Sequence, residues 1–235
     1  MTTNNLVPDV VEWDAVNWGK SLDFWQPFLP KTPALKCLEI GSRRGGLALW
    51  AALQGHECIS SDIENPENAA RPIHQKYATE VQQRITYASI NAMEIPYENH
   101  FDVIFIKSVL TVIGEHQGHS NDVRREVQER AVAQFYKALK PGGKLLFAEN
   151  LQGSWLHTTA RNLFVPWGAK ARYFEINDLL NLLSAFKTTK HAEVGFFGTF
   201  GRTEAQRTFL GNIDTWFCKF LPKSWLYISI GVAVK

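Results

Sequence analysis

Leu35 to Glu64 reads LKCLEIGSRRGGLALWAALQGHECISSDIE. Ala34 to Ile40 is a short apolar run of the kind that forms a buried strand. Gly41-Ser42-Arg43-Arg44-Gly45-Gly46 is a turn without bulky apolar side chains. Leu47 to Gln54 has helical character, and Gly55 supplies a stop. His56 to Ser61 is a second strand, with Asp62 where it ends. Glycines at a helix start let the backbone turn sharply and let a ligand approach the main chain. The acid follows the first glycine by about 20 residues, where it can accept hydrogen bonds from both hydroxyls of a ribose. The unit therefore asks for a nucleoside-containing ligand. A strand–helix–strand unit with a tight, empty turn is the plainer reading, and the acid argues against it.

Outward toward the C-terminus, a polar helix is expected over about Asn68 to Gln83. Arg84 to Ser89 reads as a third strand and Phe101 to Ile106 as a fourth. The fourth (FDVIFI) has almost no polar interruption, as in the middle of a parallel sheet. Residues 107 to 120 form a loop or short helix. Val123, Val127, Ala131, Phe135 and Leu139 recur at steps of four, which predicts a helix over Asn121 to Leu139. Lys140-Pro141-Gly142-Gly143 ends it, and Lys144 to Ala148 is a fifth strand. Strand and helix in alternation predict a doubly wound parallel sheet with helices on both faces, and a ligand site at the carboxyl ends of its strands.

Ser154 to Phe164 and Ile176 to Phe186 read as helices, Lys190 to Phe197 as a sixth strand and Trp225 to Val234 as a seventh. Between the last two, Thr203 to Phe220 reads as a helix with a broad apolar face, expected to be buried. Lining an apolar substrate pocket or touching a membrane are the alternatives. At the other end, residues 1 to 12 read as irregular, and Asp14 as the cap of a helix over Ala15 to Gln26. Trp18, Leu22 and Trp25 share one face of that helix. Packing on the domain edge is the plain reading of this helix; a lid over the ligand is the sharper one.

The 235 residues fit one domain, with 1–33 as an N-terminal helical extension and 151–188 as a substrate-side helical segment. Apolar residues at 45% and charged residues at 20% permit a sizeable core. A net charge of +2 with scattered basic residues does not point to nucleic acid. Cys37, Cys58 and Cys218 lie in apolar segments without a CxxC pair, as reduced core residues of a cytoplasmic protein do. The N-terminus lacks the pattern of a signal peptide, and no run of 18 apolar residues marks a transmembrane segment. No histidine or cysteine spacing suggests a metal. Nothing in the sequence sets an oligomeric state.

From Leu35 to Gly198 the chain resembles the class I S-adenosylmethionine-dependent methyltransferases. LEIGSRRGG is similar to the family's first motif, with Glu39 at the acid, Gly41 and Gly45 at glycines, and Arg43 where the middle glycine usually stands. Asp62 matches the ribose-binding acid. Asn91-Ala92 before Ile95-Pro96-Tyr97 resembles the segment that reads the adenine edge. FDVIFIKSVL and LKPGGKLLFAEN resemble the fourth- and fifth-strand motifs. The resemblance implies a Rossmann-like seven-stranded sheet whose last strand runs antiparallel between the fifth and sixth. It implies S-adenosyl-L-methionine as cofactor, contacted by Glu39, Gly41, Ser42, Arg43, Gly45, Asp62, Ile63, Asn91, Ala92 and Lys107. NAD-binding enzymes of similar fold prefer GxGxxG, whereas Gly41 here begins GxxxGG.

Methyl transfer from a sulfonium is an in-line displacement, and the protein must hold the nucleophile about 3 Å from the methyl carbon. A hydroxyl acceptor gains from a base. His116, His119, Glu149, His157 and Arg161 lie beyond the fourth and fifth strands. His157, Glu149 and His119 are the catalytic candidates, and Arg161 the substrate-binding one, four residues from His157 on one helix face. The plainer readings are a histidine satisfied by a backbone carbonyl for His157, solvated loop residues for His116 and His119, and local ion pairs for Lys107 and Glu149. The sequence thus reads as a methyltransferase acting on a small molecule, a hydroxyl oxygen of a sugar or cyclic metabolite being favoured. An NAD-dependent oxidoreductase and a non-catalytic cofactor-binding module are the rivals.

Overall fold

The computed structural model describes residues 6–113, 121–165 and 173–235. In chain order the elements are α1 (Leu6–Val11), α2 (Ala15–Trp25), β1 (Lys36–Ile40), α3 (Gly46–Leu53), β2 (Glu57–Asp62), α4 (Glu67–His74), α5 (Thr79–Gln82) and β3 (Ile85–Ser89). There follow β4 (Phe101–Lys107), α6 (Val109–Val112), α7 (Asn121–Ala138), β5 (Leu139–Asn150), α8 (Trp155–Phe164), α9 (Ile176–Leu182), β6 (Thr188–Val194), α10 (Glu204–Phe217) and β7 (Ile228–Val234). The sheet order is β3-β2-β1-β4-β5-β7-β6. β7 is antiparallel to both β5 and β6, and the other pairs are parallel. The seven-stranded, doubly wound arrangement with its antiparallel last strand is the one the sequence leads to.

β4 shows why the central strand carries no polar residues between Val103 and Ile106. Val103 and Phe105 point into an apolar cluster with α1, α2 and α3; Ile104 and Ile106 point into another with α7 and α9. Side chains alternate across a strand, so a strand covered on both faces must be apolar throughout. On the first face Trp25, Trp50 and Phe105 meet with ring centroids 6.0 to 6.2 Å apart. The Trp25 indole donates to the Gly231 carbonyl at 2.9 Å. Trp18, Leu22 and Trp25 are buried on the face that the spacing gives, so α2 is part of the core wall.

Several boundaries differ, each for a local reason. Residues 6 to 11, expected to be irregular, form α1. Asp14 does precede α2, but in a left-handed conformation and with no side-chain capping bond. Its carboxylate is buried against Asn17 and the Tyr227 hydroxyl, and Glu204 from α10 accepts the Asp14 and Ala15 amides instead. The expected helix over Asn68 to Gln83 is broken into α4 and α5, where Lys76 and Tyr77 both bond Asp9 of α1. β5 begins at Leu139, before the glycine pair. β6 spans Thr188–Val194, and Gly195 at φ 78° ends it.

The largest departure concerns α10. Its Gly211 and Asp214 are buried, while Phe209, Ile213, Trp216 and Phe217 are exposed, as is Phe220 just beyond it. The broad apolar face faces outward, because the helix is tied down by its polar side. The Asp214 carboxylate accepts the amides of Phe196, Phe197 and Gly198 at 2.8 to 3.0 Å, and the Asn17 amide group at 2.8 Å.

Candidate cofactor site

The turn after β1, the end of β2, the segment after β3 and the end of β4 meet at the carboxyl end of the parallel strands. Gly41 has φ 65° there, and a Cβ on it would lie 2.7 Å from Val109 Cγ2. Gly45, at φ 70°, precedes α3, and its Cβ would strike the His74 ring at 2.7 Å. A Cβ on Gly46 would collide with the Val10 carbonyl of α1. The protein itself therefore requires glycine at 45 and 46, so those two residues are weaker signs of a ligand than their place in the motif suggests.

Asp62 carries more. Its Oδ2 accepts the Arg43 amide at 2.9 Å and its Oδ1 the Ile63 amide at 2.8 Å. Each carboxylate oxygen keeps a further acceptor site, and the backbone bonds fix the carboxylate against the turn. The Ser42 hydroxyl is buried without a protein partner. Ile63 is largely exposed beside Asp62. The Ile90 amide donates to the Asp62 carbonyl at 2.8 Å, which brings the following Asn91 and Ala92 to the same edge. Asn91 Oδ1 already accepts the Met93 amide at 3.0 Å and keeps one acceptor site. A fixed carboxylate with spare capacity, an unpartnered hydroxyl and an apolar side chain fit the ribose and adenine of S-adenosylmethionine.

Arg43 is left-handed at φ 50° and turns its guanidinium to Glu12, 3.2 Å away. Lys107, at the end of β4, lies over the Trp18 ring at 5.0 Å. Burial lowers its pKa, against the field of Glu12 and Glu39. Both Glu12 and Trp18 belong to the N-terminal segment, so that segment walls one side of the site. The sequence offered α2 as a lid over the ligand, but gave no signal for the Glu12 and Trp18 contacts themselves. The same holds for His74, whose Nε2 donates to the Gly45 carbonyl at 2.9 Å while Nδ1 meets the Tyr87 hydroxyl at 2.7 Å. A contact spanning 29 residues leaves no local pattern.

Two buried acids hold helix starts. Glu39 accepts the Leu47 and Ala48 amides of α3 at 3.1 and 2.9 Å, and burial raises its pKa to about 8. Its carboxylate thus orders the glycine turn from beneath. Glu149 accepts the Val109, Leu110 and Thr111 amides and the Thr111 hydroxyl at 2.6 to 3.1 Å. Burial raises its pKa as well. Four donors on a fully buried carboxylate fill its lone pairs, so in this structure Glu149, expected as a catalytic residue, holds the start of α6.

His157 and Arg161 do share one face of α8, and both are buried. His157 Nε2 donates to the Phe196 carbonyl at 2.9 Å, and its ring is enclosed by Phe196, Phe200 and Tyr227. Burial pushes its pKa down to about 4. Arg161 donates to the Leu151 and Gln152 carbonyls and lies over the Tyr173 ring at 3.5 Å. The geometry is that of the plainer reading of His157, and Arg161, expected at the substrate, fastens α8 to the segment that follows β5. His116 and His119 lie outside the described residues. Among the described residues no cluster of histidine, cysteine or carboxylate side chains could hold a metal ion.

A separate open cleft of ≈ 670 Å³ lies at the opposite, amino-terminal end of the strands, lined by Lys36, Glu57, Gln83, Arg84 and His100 among others. It does not touch the glycine turn.

Residues 38–147 match a family model described as a methyltransferase domain. An uncharacterized protein of Haemophilus influenzae is 29% identical over 113 residues, which is 47% of this chain and 41% of that protein. Phosphoethanolamine N-methyltransferase 2 of Haemonchus contortus, solved with S-adenosyl-L-methionine, is 18% identical with a TM-score of 0.60, covering 93% of this chain and 52% of that one. A SAM-dependent methyltransferase of Thermotoga maritima is 15% identical with a TM-score of 0.59, covering 94% and 91%. The chain spans about half or less of the first two proteins. At these identities the solved structures speak for the fold.

Proposed function

We propose that this chain, whose residues 38–147 form a methyltransferase domain of the class I fold, binds S-adenosylmethionine at the carboxyl end of β1 to β4 and methylates a small molecule. The observation that carries this reading is the Asp62 carboxylate, fixed against the glycine turn by the Arg43 amide at 2.9 Å and still able to accept from a ribose. When bound, the cofactor supplies a methyl group on a sulfonium with its own leaving group. The chain's part is positional. Asp62 takes the ribose hydroxyls, Gly41 to Arg43 offer main chain to the amino-acid end, and Ile63, Asn91 and Ala92 hold the base. Ser42, Gly45, Glu39 and Lys107 shape the turn and its floor. The acceptor enters from the side of α8 and the Gly198–Phe200 turn, and a hydroxyl oxygen is the favoured nucleophile. Of the three candidate bases, His119 remains the assignment, since Glu149 and His157 have their polar atoms engaged or enclosed.

The test is calorimetric titration with S-adenosylhomocysteine, and with NADH in parallel, on wild type and Asp62→Asn. Micromolar binding of the former, weakened about tenfold or more in the variant, is expected; tenfold corresponds to about 1.4 kcal/mol. Binding of NADH with none of S-adenosylhomocysteine would replace this reading with the oxidoreductase one.

A further inference from the structure

The outward apolar stripe of α10 has no partner among the described residues. Phe209, Ile213, Trp216 and Phe220 follow one another at spacings of four, three and four, which is one face of a helix. Phe209, Trp216 and Phe220 are 65 to 71% exposed. Rotation cannot hide them. On the opposite side, a Cβ on Gly211 would lie 2.7 Å from Val16, and Asp214 is locked by four hydrogen bonds. A second apolar face lies on α8, where Trp155, Leu156 and Leu163 are exposed while His157 and Arg161 are buried.

Both faces belong to the same end of the sheet as the cofactor site. α8 follows the carboxyl end of β5, and α10 joins the carboxyl end of β6 to the start of β7. Asn150, Val194 and Ile228 meet there in register. Ring contacts run without interruption from His157 on α8 through Phe196 and Phe197 to Phe217, Trp216 and Phe220. Past Glu204, which opens α10 and accepts the Asp14 and Ala15 amides, the exposed charge along this rim is positive. Between Ala205 and Ser224 the only carboxylate is the buried Asp214, whereas Lys219 and Lys223 are exposed. From Leu151 to Val165 the chain has no acid at all.

We propose that the α8–α10 rim docks on the surface of an anionic phospholipid bilayer. Exposed tryptophan and phenylalanine beside lysine suit the headgroup boundary, where rings enter the acyl edge and ammonium groups meet lipid phosphates. Among the described residues no helix is long and apolar enough to cross a membrane, so the contact lies in the plane of the surface. Such docking turns the carboxyl end of the sheet toward the lipid. On the functional reading given above, it would deliver an amphipathic acceptor to the site; the docking itself does not depend on that reading.

Flotation with vesicles of equal parts phosphatidylcholine and phosphatidylglycerol, and with phosphatidylcholine alone, tests the proposal. Wild type is compared with Phe209→Ser/Trp216→Ser/Phe220→Ser and with Lys219→Glu/Lys223→Glu, all checked for unchanged far-UV dichroism and S-adenosylhomocysteine affinity. Wild type should float with the anionic vesicles and less with the neutral ones. Either variant should lose about tenfold or more in partitioning, with the attraction weakening as salt rises. Absence of flotation by wild type, or equal flotation by the triple serine variant, would overturn the proposal. Sedimentation equilibrium showing a dimer that the serine variant abolishes and vesicles do not dissociate would assign the face to a second copy instead. Because cofactor affinity is read separately, failure of docking and failure of the methyltransferase reading remain distinguishable.

Discussion

Gly45 and Glu39 show how much a single position in the turn carries. Gly45 combines a left-handed backbone with a neighbour, the His74 ring, where a Cβ would sit. Gly45→Ala should therefore lower stability by about 2 kcal/mol or more, from left-handed strain plus overpacking, measured by urea unfolding. Glu39 behaves differently, since burial raises its pKa from 4.5 to about 8. The folded state binds that proton more tightly than the unfolded one, so this contribution is full below about pH 4.5 and is lost as pH rises toward 8. Asp14, raised from 3.8 to about 6 chiefly by burial, acts in the same direction over a lower range. Urea midpoints from pH 5 to 8 should fall for wild type and fall less for Glu39→Gln, which carries no charge to desolvate. A midpoint that rises over this range would contradict the assignment.

Among the elements, the joint between α10 and the loop after β6 is the most exposed to one change. Asp214 satisfies three backbone amides there. Asp214→Ala should cost roughly 3 kcal/mol or more, because buried donors are left without acceptors, and Asp214→Asn should cost less. Denaturation of the two variants checks the order. The same joint marks where the sequence stopped being informative. β4 was readable because a strand buried on both faces carries an unbroken apolar run, and β1 and β2 because they frame the glycine turn and its helix. α7 was readable because its apolar residues step by four. α10 has an equally clear apolar stripe, but the stripe tells only that one face is apolar. Whether that face turns in or out was decided by Asp214, Gly211 and Glu204, whose partners lie 16 to 197 residues away. His157 and Glu149 had neighbours that were hidden for a similar reason. Their residue types and places beyond the fifth strand suited chemistry, whereas Phe196, Tyr227 and the α6 amides that surround them come from elsewhere in the chain. Asp62 needed only its own β-α-β unit, so the strand-end acid could be found from spacing alone.

Across the whole molecule, the N-terminal segment closes a structure that the family match leaves open. That match covers residues 38–147, yet Trp25 from outside it lies buried between Trp50 and Phe105 and bonds the last strand at Gly231. Trp25→Ala should destabilise the fold by about 3–5 kcal/mol, and its thermal unfolding should remain a single transition if α2 is integral to the core. Two ends of one sheet now compete as the place where the nucleoside binds: the turn at Gly41 with Asp62, and the cleft beside Lys36 and Arg84. Hydrogen exchange with and without S-adenosylhomocysteine separates them most directly. Slowed exchange at residues 41–46, 62–63 and 90–92 is the expected result. Slowed exchange confined to 36–37, 57–59 and 83–86, with the glycine turn unchanged, would contradict the site assignment and with it the function built upon it.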